Sequence, residues 1–266
     1  MKSFDVVIPV YNEERVLAQS VETLRTFLRE SFPYRWRIVI ADNASTDRTL
    51  ALANELAARY PDEVRVMHLD EKGRGRALKR AWLESDADAM GYMDVDLSTD
   101  IAKTVDLARA VLDEGYDLAY GSRLAPGSET TRSLKREVVS RGNMAVIKAM
   151  FFVRFSDAQC GFKAITPEAA RALLPLVKDT YWFFDTELLI KAEKAGYRLK
   201  EIPVRWQEDM DTRVKLVQCL KCFNVTLTLD RADDSLWPIA KPFTSGGASP
   251  GSRYGSFRNR KGRVAT

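Results

Sequence analysis

At residues 89–100 the chain reads AMGYMDVDLSTD. The apolar run from Ala89 to Met93 is typical of a buried strand, and two carboxylates one residue apart, Asp94 and Asp96, follow it directly. Open α/β sheets bind ligands at the carboxyl ends of their strands. We therefore expect this strand end to hold a divalent metal and a nucleotide diphosphate.

The same Asp-x-Asp spacing also occurs at residues 86–88 and 209–211. Both of these pairs lie in polar surroundings, which are typical of solvated turns. Only the pair at 94–96 directly follows an apolar strand, so the position of this pair singles it out.

Strand and helix patterns alternate over the first hundred residues. Apolar strand patterns cover residues 4–10, 36–41, 64–69 and 89–93, and apolar residues at helical spacing fill the intervals. This alternation predicts a parallel sheet with helices on its faces. Asn12 is expected to cap the first helix, and Asp47 or Thr46 the second. Polar groups at residues 9–11, 41–43 and 93–95 then meet at one edge, which favours a nucleotide site.

Composition excludes several classes of function. The five cations of residues 244–266 exceed the whole net charge of +4, so the rest of the chain carries −1 and is no basic nucleic-acid binder. The three cysteines indicate a reducing compartment. Cys219 and Cys222 have metal-ligand spacing but no second pair to complete a zinc site. No secretory signal or membrane-spanning stretch is evident.

Residues 133–155 interleave basic and apolar side chains and predict a basic amphipathic helix. Such a helix can lie in a membrane interface. It can also be a core helix whose basic side chains extend to solvent. The pattern alone slightly favours the core helix. Further strands and helices are expected up to residue 229, with a charged turn at 208–213.

Six short motifs follow one another along the chain. They are VIPVYNE at residues 7–13, the loop Asp42…Ser45-x-Asp47, KGRG at 72–75, DVD at 94–96, GSR at 121–123 and DTEL at 185–188. In this order and spacing they resemble the family 2 glycosyltransferases of GT-A fold. KRxxxSR at 135–141 and DxQCGFK at 157–163 are similar to the dolichyl- and polyprenyl-phosphate hexose synthases within that family. The resemblance covers roughly residues 4–217 and implies a mixed, mainly parallel sheet flanked by helices, plus amphipathic interfacial helices.

The resemblance implies a nucleoside site made by Pro9, Tyr11, Glu13 and Asp42. In this family Asp42 normally stands beside a second Asp and before a Gly. This chain has Asn43 and Ala44 instead, so the backbone of the loop can differ. Turn and cap chemistry is the alternative explanation for Asp42 and Asp47, and we favour it only for Asp47.

The resemblance also implies that Asp96 binds Mg²⁺ or Mn²⁺, while Asp94 and Val95 face the nucleotide. Hard cations prefer oxygen ligands and keep substrate phosphates among them. Some relatives carry a Gln ligand two residues after the second Asp. Ser98 stands there in this chain and is the weaker metal-ligand prediction.

Positions that hold the acceptor phosphate and the donor diphosphate match Arg123, Arg136, Ser140 and Arg213, with a weaker match at Lys215. Arginine forks fit phosphate oxygens, although surface ion pairs explain each arginine taken singly. Asp185 and Glu187 occupy the family's acidic position near the acceptor. Such a carboxylate is a general base for a hydroxyl acceptor, whereas beside a phosphate it can orient a sugar hydroxyl or an arginine. Asp185 can also cap its helix.

The resemblance implies an inverting enzyme that moves a hexose from GDP-mannose or UDP-glucose to a polyprenyl or dolichyl phosphate, with mannose slightly ahead. One alternative is a family 2 enzyme acting on a glycan or small-molecule hydroxyl. The other is a non-catalytic relative that binds nucleotide sugars.

The domain is expected to cover residues 1–230, with a disordered basic tail at 231–266. With the resemblance in hand, residues 133–155 are expected at the cytoplasmic face of a membrane, where the protein would be peripheral. Related proteins often continue into transmembrane helices. A separate membrane-anchoring subunit is a further expected partner.

Overall fold

The computed structural model describes residues 1–131 and 134–207, without the side chains of 134–136. Within these residues seven strands form one sheet, and two short strands form a second. The main sheet contains β1 (Ser3–Val10), β2 (Arg35–Asn43), β3 (Val64–Leu69), β4 (Ala89–Met93), β5 (Leu118–Ser122), β7 (Phe162–Ile165) and β8 (Leu199–Pro203). The second contains β6 (Glu129–Thr131) and β9 (Arg205–Gln207). The predicted turn at 208–213, the helix at 214–229 and the tail lie outside the described residues.

Helices fill the intervals, as the sequence periodicity predicts. They are α1 (Leu17–Ser31), α2 (Thr49–Arg59), α3 (Arg74–Leu83), α4 (Lys103–Leu112), α5 (Leu134–Phe151), α6 (Pro167–Leu173) and α7 (Phe184–Lys194). Among the described residues, none of the helices combines the length and the apolar character that a membrane span requires.

The main sheet has the order β3-β2-β1-β4-β7-β5-β8. All neighbours run parallel except β7, which is antiparallel to both β4 and β5. This confirms the mixed, mainly parallel sheet. The chain builds β1, β2 and β3 outward and then returns to place β4 on the other side of β1. The strand order therefore reverses between β1 and β4, where open α/β sheets form their ligand crevice.

The central strands β1, β4, β5 and β7 are almost entirely buried, which explains why they are mainly apolar runs. Val7 of β1 packs on one side with Trp82 and Phe184. Val6 and Ile8 of the same strand pack on the other side, in the cluster that contains the buried apolar side chains of α1.

The prediction that Asn12 caps the first helix is wrong. Helix α1 begins at Leu17, and no side chain caps it. Asn12 instead has a φ of +56°, in the left-handed region that Asn tolerates better than most residues. Asp47 is closer to its expected role, because its Oδ1 accepts the Thr49 N–H at 2.9 Å, at the start of α2.

The apolar residues of helix α5, which the sequence assigns to one broad face, lie in two different environments. Met144, Ile147 and Phe151 are buried in the core. Val138 remains 70% exposed on the opposite side, and Phe152 directly after the helix is 78% exposed. The core-helix interpretation therefore holds for most of the apolar side chains, and a narrow apolar stripe remains at the surface.

Candidate active site

The loops that follow β1 and β2 are joined by hydrogen bonds. The Asn12 N–H donates to Ser45 Oγ at 3.0 Å, and Asn12 Oδ1 accepts the Thr46 N–H at 2.8 Å. The Glu13 N–H donates to Thr49 Oγ1 at 2.7 Å. Because these bonds run in both directions, the two loops are held together as one edge, at the place where the sequence predicts a nucleoside site.

The predicted nucleoside residues of the first loop lie at the sheet crevice. Pairing of β1 with β4 ends at Val7 and Tyr92, so continuing the register places Pro9 level with Asp94. Pro9, Tyr11 and Glu13 are all half-buried. Lys72 Nζ lies 3.4 Å from the centroid of the Tyr11 ring, a cation–π contact that brings the KGRG motif to this edge.

Asp42 is fully buried at the end of β2. Its Oδ2 lies 2.7 Å from Nδ1 of His68, the neighbouring residue on β3. Its Oδ1 is also buried and has no hydrogen-bond partner among the described residues. A buried acceptor without a donor costs about 1–3 kcal/mol, so a ligand N–H or hydroxyl could offset this cost at Asp42.

Ala44 adopts a φ of +59°, the left-handed conformation that glycine favours. This is the position at which the family resemblance expects a Gly. The substitution therefore leaves a glycine-like backbone in place, at a strain of about 1–2 kcal/mol.

Asp94 is held by an arginine that the sequence did not single out. Arg74 Nη2 donates to Asp94 Oδ1 at 2.8 Å, and its Nη1 donates to Asp185 Oδ2 at 2.6 Å. Gly161 gives room on the other side, because a Cβ there would lie 1.8 Å from Asp94 Oδ2. The Asp94 carboxylate is thus fixed from two directions.

The glycines of the KGRG motif allow α3 to approach α7 closely. A Cβ on Gly75 would lie 2.6 Å from Cβ of Phe184, and one on Gly73 would lie 2.8 Å from the carbonyl oxygen of Thr180. The Arg76 N–H donates to that carbonyl at 3.1 Å. This close packing brings Arg74 beside Asp185.

Asp185 is buried inside α7 and is surrounded by donors, so the capping prediction is wrong. Tyr92 Oη and Arg74 donate to it, and Lys163 Nζ lies 3.0 Å from its Oδ1. Burial would raise the pKa of Asp185, but the charges of Lys163 and Arg74 and the hydrogen bonds from Tyr92 and Arg74 hold that pKa below its usual value. Asp185 therefore orients an arginine, the second of the two roles weighed for it.

Asp96 is exposed, and its Oδ1 accepts the Ser98 N–H at 3.0 Å. Ser98 Oγ is buried without a hydrogen-bond partner among the described residues, and its role as a metal ligand stays a prediction. No three His, Cys, Asp or Glu side chains of the described part of the chain cluster as metal ligands. Two aspartates at one strand end, with Asp94 already paired to Arg74, fit a hard cation that takes its other ligands from substrate phosphates and water.

Glu187 lies one helical turn into α7 and faces away from this network. Its carboxylate accepts the N–H groups of Lys178 and Asp179 at 3.0 and 2.8 Å and pairs with Lys191 Nζ at 2.7 Å. The side chain is buried. These contacts assign Glu187 to holding the loop before α7, which does not fit the predicted catalytic role.

Arg123 forms a two-pronged ion pair with Asp157. Its Nε and Nη2 donate to the two carboxylate oxygens at 2.7 and 3.0 Å, and both side chains are largely buried. Burial would raise the pKa of Asp157, but Arg123 lowers that pKa to about 2. The fork that was predicted to hold an acceptor phosphate is thus engaged by a carboxylate.

The remaining predicted residues are placed only in part. Val95 is buried between the two aspartates, and Ser140 is half-buried on α5. The Arg136 side chain, Arg213 and Lys215 lie outside the described residues.

Sequence reasoning missed Arg74, Lys163, Gly161 and His68 as parts of the site. KGRG and DxQCGFK were recognised only as motifs, and the lone histidine was not placed. Lys163 stands beside apolar residues in the sequence, and lysine is almost never fully buried without a partner. This was the available signal, and in the structure Lys163 is 0% exposed.

A family model described as Glycosyl transferase family 2 matches residues 5–174. Glycosyltransferase AglD of Haloferax volcanii is 39% identical over 218 residues, which are 80% of this chain and 34% of AglD. The dolichyl-phosphate beta-glucosyltransferase of Saccharomyces cerevisiae is 30% identical over 223 residues, which are 76% of this chain and 66% of that protein. The chain thus spans about a third of the first relative and about two thirds of the second.

Among solved structures, glucosyl-3-phosphoglycerate synthase from Mycobacterium tuberculosis in complex with UDP matches with a TM-score of 0.63 at 18% identity, over 85% of this chain and 79% of that one. The same synthase with Mn²⁺, UDP-glucose and phosphoglyceric acid matches with a TM-score of 0.62 at 17% identity, over 85% of this chain and 79% of that one. At this level of identity the likeness concerns the fold, and it confirms the predicted GT-A-like architecture.

Proposed function

The chain belongs to glycosyl transferase family 2, and on this basis we propose that it transfers a hexose from a nucleotide sugar to a polyprenyl or dolichyl phosphate, with inversion at the anomeric carbon. The names of the similar dolichyl-phosphate beta-glucosyltransferases support this acceptor.

One observation carries the choice of a phosphate acceptor over a hydroxyl. A hydroxyl must lose its proton during transfer and needs a general base. Asp185 and Glu187, the two predicted bases, are buried and engaged by donors on both oxygens or on the loop backbone. A phosphate monoester is already an anion at neutral pH and needs no base.

The named relatives also favour glucose as the transferred sugar. The sequence resemblance alone placed mannose slightly ahead, whereas the dolichyl-phosphate relatives that match are glucosyltransferases by name. We therefore propose UDP-glucose as the donor, with GDP-mannose as the alternative that the assay separates.

The proposed mechanism uses the two halves of the crevice. Asp42 and the joined loops after β1 and β2 would bind the nucleoside, and Asp96, with Asp94 beside it, would hold the Mg²⁺ or Mn²⁺ that serves the donor diphosphate. When bound, the cation neutralises charge on the departing nucleoside diphosphate. An acceptor phosphate oxygen forms the new bond to the anomeric carbon while the bond to the diphosphate breaks, and the diphosphate leaves with the electron pair. Arg136, Ser140, Arg213 and Lys215 are the proposed contacts to these phosphates.

Membrane contact is proposed for the exposed stripe of α5. Val138 and Phe152 are exposed apolar residues, and Arg141 and Lys148 are exposed between them. Phe152 also has a φ of +52°, a strained conformation for a bulky residue. A basic stripe with apolar ends suits the interface of an anionic bilayer, which would bring a lipid phosphate to the protein.

The decisive assay incubates the protein with radiolabelled UDP-glucose or GDP-mannose, Mg²⁺ or Mn²⁺, and a short polyprenyl phosphate. We expect organic-phase label with UDP-glucose, and no label when the free polyprenol replaces its phosphate. Labelling of the polyprenol, or of another hydroxyl acceptor only, would instead support the glycan or small-molecule alternative. Binding of the donor without any transfer would support the non-catalytic alternative.

Asp96→Ala should lower the transfer rate at least a hundredfold, because the proposed cation ligand is lost. Asp62→Ala is the matched control, since Asp62 is an exposed aspartate outside the crevice. Near-normal transfer by Asp96→Ala would show that the metal assignment is wrong.

A further inference from the structure

We infer that Arg74 is a positioning residue that gives Asp94 and Asp96 different roles. Its guanidinium neutralises and holds Asp94, so that Asp94 does not compete with Asp96 for the cation. This inference rests on the proposed function for its metal and its diphosphate. Neither the family match nor the names of the relatives assigns a role to Arg74.

The contact with Asp94 is made by one arm of the guanidinium fork. Arg74 Nη2 lies 2.8 Å from Asp94 Oδ1, while Asp94 is still 43% exposed in its side chain. Gly161 leaves the space that Asp94 Oδ2 occupies, and the Asp94 N–H donates to the Gly161 carbonyl at 3.2 Å. Asp94 therefore faces the crevice in one fixed orientation.

The other arm of the fork is anchored in the protein interior. Arg74 Nη1 lies 2.6 Å from Asp185 Oδ2, and the Asp185 side chain is only 3% exposed. Lys163 and Tyr92 bind the other oxygen of Asp185, and Lys163 Nζ is itself held by the carbonyls of Ala158 and Cys160 at 3.1 and 2.7 Å. The anchor cannot turn without breaking several buried polar contacts.

Two cations and two carboxylates alternate in a row of four side chains: Lys163, Asp185, Arg74 and Asp94. The row is electrically neutral, so Asp94 adds no net negative charge to the crevice. Without Arg74, the Asp94 charge would be unpaired and the carboxylate would be able to turn toward the cation.

This arrangement predicts the direction in which Arg74→Met changes the affinity for Mn²⁺. An unpaired Asp94 should tighten Mn²⁺ binding on the order of tenfold, since a full negative charge now lies near the cation. The same charge repels the diphosphate, so the KM for the nucleotide sugar should rise. The kcat should fall on the order of a hundredfold, because both carboxylates would then compete for one cation.

Mn²⁺ affinity is measured by the electron paramagnetic resonance signal of the free ion, in the absence of donor and acceptor. Arg80→Gln is the matched control, since Arg80 lies on the same helix and pairs with the exposed Glu84, and its replacement removes the same unit of charge. We expect Mn²⁺ affinity to be unchanged in Arg80→Gln. In Arg74→Met/Asp94→Asn the gain in affinity should disappear.

Removing Arg74 alone leaves Asp185 with one partner fewer, so Arg74→Met can be unstable. Arg74→Gln is the second variant, because its amide is an uncharged donor that can still face Asp185, and it should show the same tighter Mn²⁺ binding. Unchanged Mn²⁺ affinity in every folded Arg74 variant would overturn the inference. The metal titration needs no acceptor lipid, so failure of lipid glycosylation is distinguishable from failure of this inference.

Discussion

Gly161 is important to the site because it has no side chain, and the Asp94 carboxylate occupies the space that a side chain would fill. Gly161→Ala would put a methyl carbon 1.8 Å from Asp94 Oδ2, so the carboxylate must move. We expect transfer to fall on the order of a hundredfold, the usual effect of an ångström-scale displacement in a catalytic site. Because the Asp94 side chain is 43% exposed, its displaced carboxylate can be hydrated, and the free energy of unfolding should fall by only about 1 kcal/mol.

Gly142→Ala provides the comparison for this substitution. Gly142 lies on the exposed side of α5, and a Cβ there meets nothing within 4 Å. Alanine should stabilise the helix by about 0.5–1 kcal/mol and leave transfer in detergent unchanged. Equal transfer rates for the two alanine variants would show that Asp94 tolerates displacement.

The ion pair of Arg123 and Asp157 predicts a dependence of stability on pH. Asp157 has a pKa of about 2 in the folded protein, below the ordinary value of 3.8. A depressed carboxylate pKa stabilises the fold above its unfolded value and loses that contribution as pH falls through the folded value. The contribution is on the order of 2 kcal/mol.

Urea unfolding at pH 5, 4, 3 and 2 tests this dependence. Wild type is compared with Arg123→Met/Asp157→Asn, which lacks the pair but retains every other carboxylate. Wild type should lose about 2 kcal/mol more than the double variant between pH 4 and pH 2. Parallel pH profiles for the two proteins would refute a stabilising role for the pair.

At the residue scale, the sequence predicted which residue types gather at the crevice but not how they pair. Asp42, Asp94 and Asp96 follow strand ends, and such positions can be predicted from local pattern. The pairing of Arg74 with Asp185 joins positions 111 residues apart. No local pattern encodes such a contact, so the burial of Asp185 and Glu187 was not foreseen.

At the element scale, helix α5 contacts the protein core on one side and is exposed on the other. One side carries buried core residues, and the other carries the exposed stripe.

Burying Val138 and Phe152 in a bilayer interface should contribute about 3 kcal/mol, roughly a hundredfold in partitioning. We therefore expect Val138→Ser/Phe152→Ser to abolish flotation with anionic vesicles. Leu83→Ser, at a 42% exposed apolar residue on α3, should float like the wild type, and equal flotation of all three would exclude this face.

The positions of central strands such as β1 and β4 were predictable because these strands are buried on both faces and form nearly continuous apolar runs. Helix starts were less predictable, since Asn12 has cap chemistry yet bonds to a neighbouring loop. The pairing partners of β7 could not be predicted either. Its residues indicate a strand, but an isolated strand pattern does not specify its neighbours or its direction.

At the scale of the whole molecule, ligand binding should raise thermal stability. UDP with Mn²⁺ at a hundred times the dissociation constant adds about 2.7 kcal/mol to the free energy of unfolding. For a domain of this size that corresponds to a rise in Tm of about 5–10 °C. Differential scanning calorimetry should show this rise for wild type, little of it after EDTA, and little in Asp96→Ala. A full rise in the variant would remove Asp96 from the site.

The antiparallel strand β7 lies between β4 and β5, although it follows both of them in the chain. On the ribosome, β4 and β5 are therefore made before the strand that must join them. About 40 residues separate the ends of β5 and β7, which takes roughly 2–8 seconds at ordinary rates of synthesis. For that interval two apolar strands have unpaired edges, which favour association with other chains. Gly161 and Lys163 arrive with β7, so the nascent protein gains these two parts of the crevice in the same step in which β7 covers the facing edges of β4 and β5.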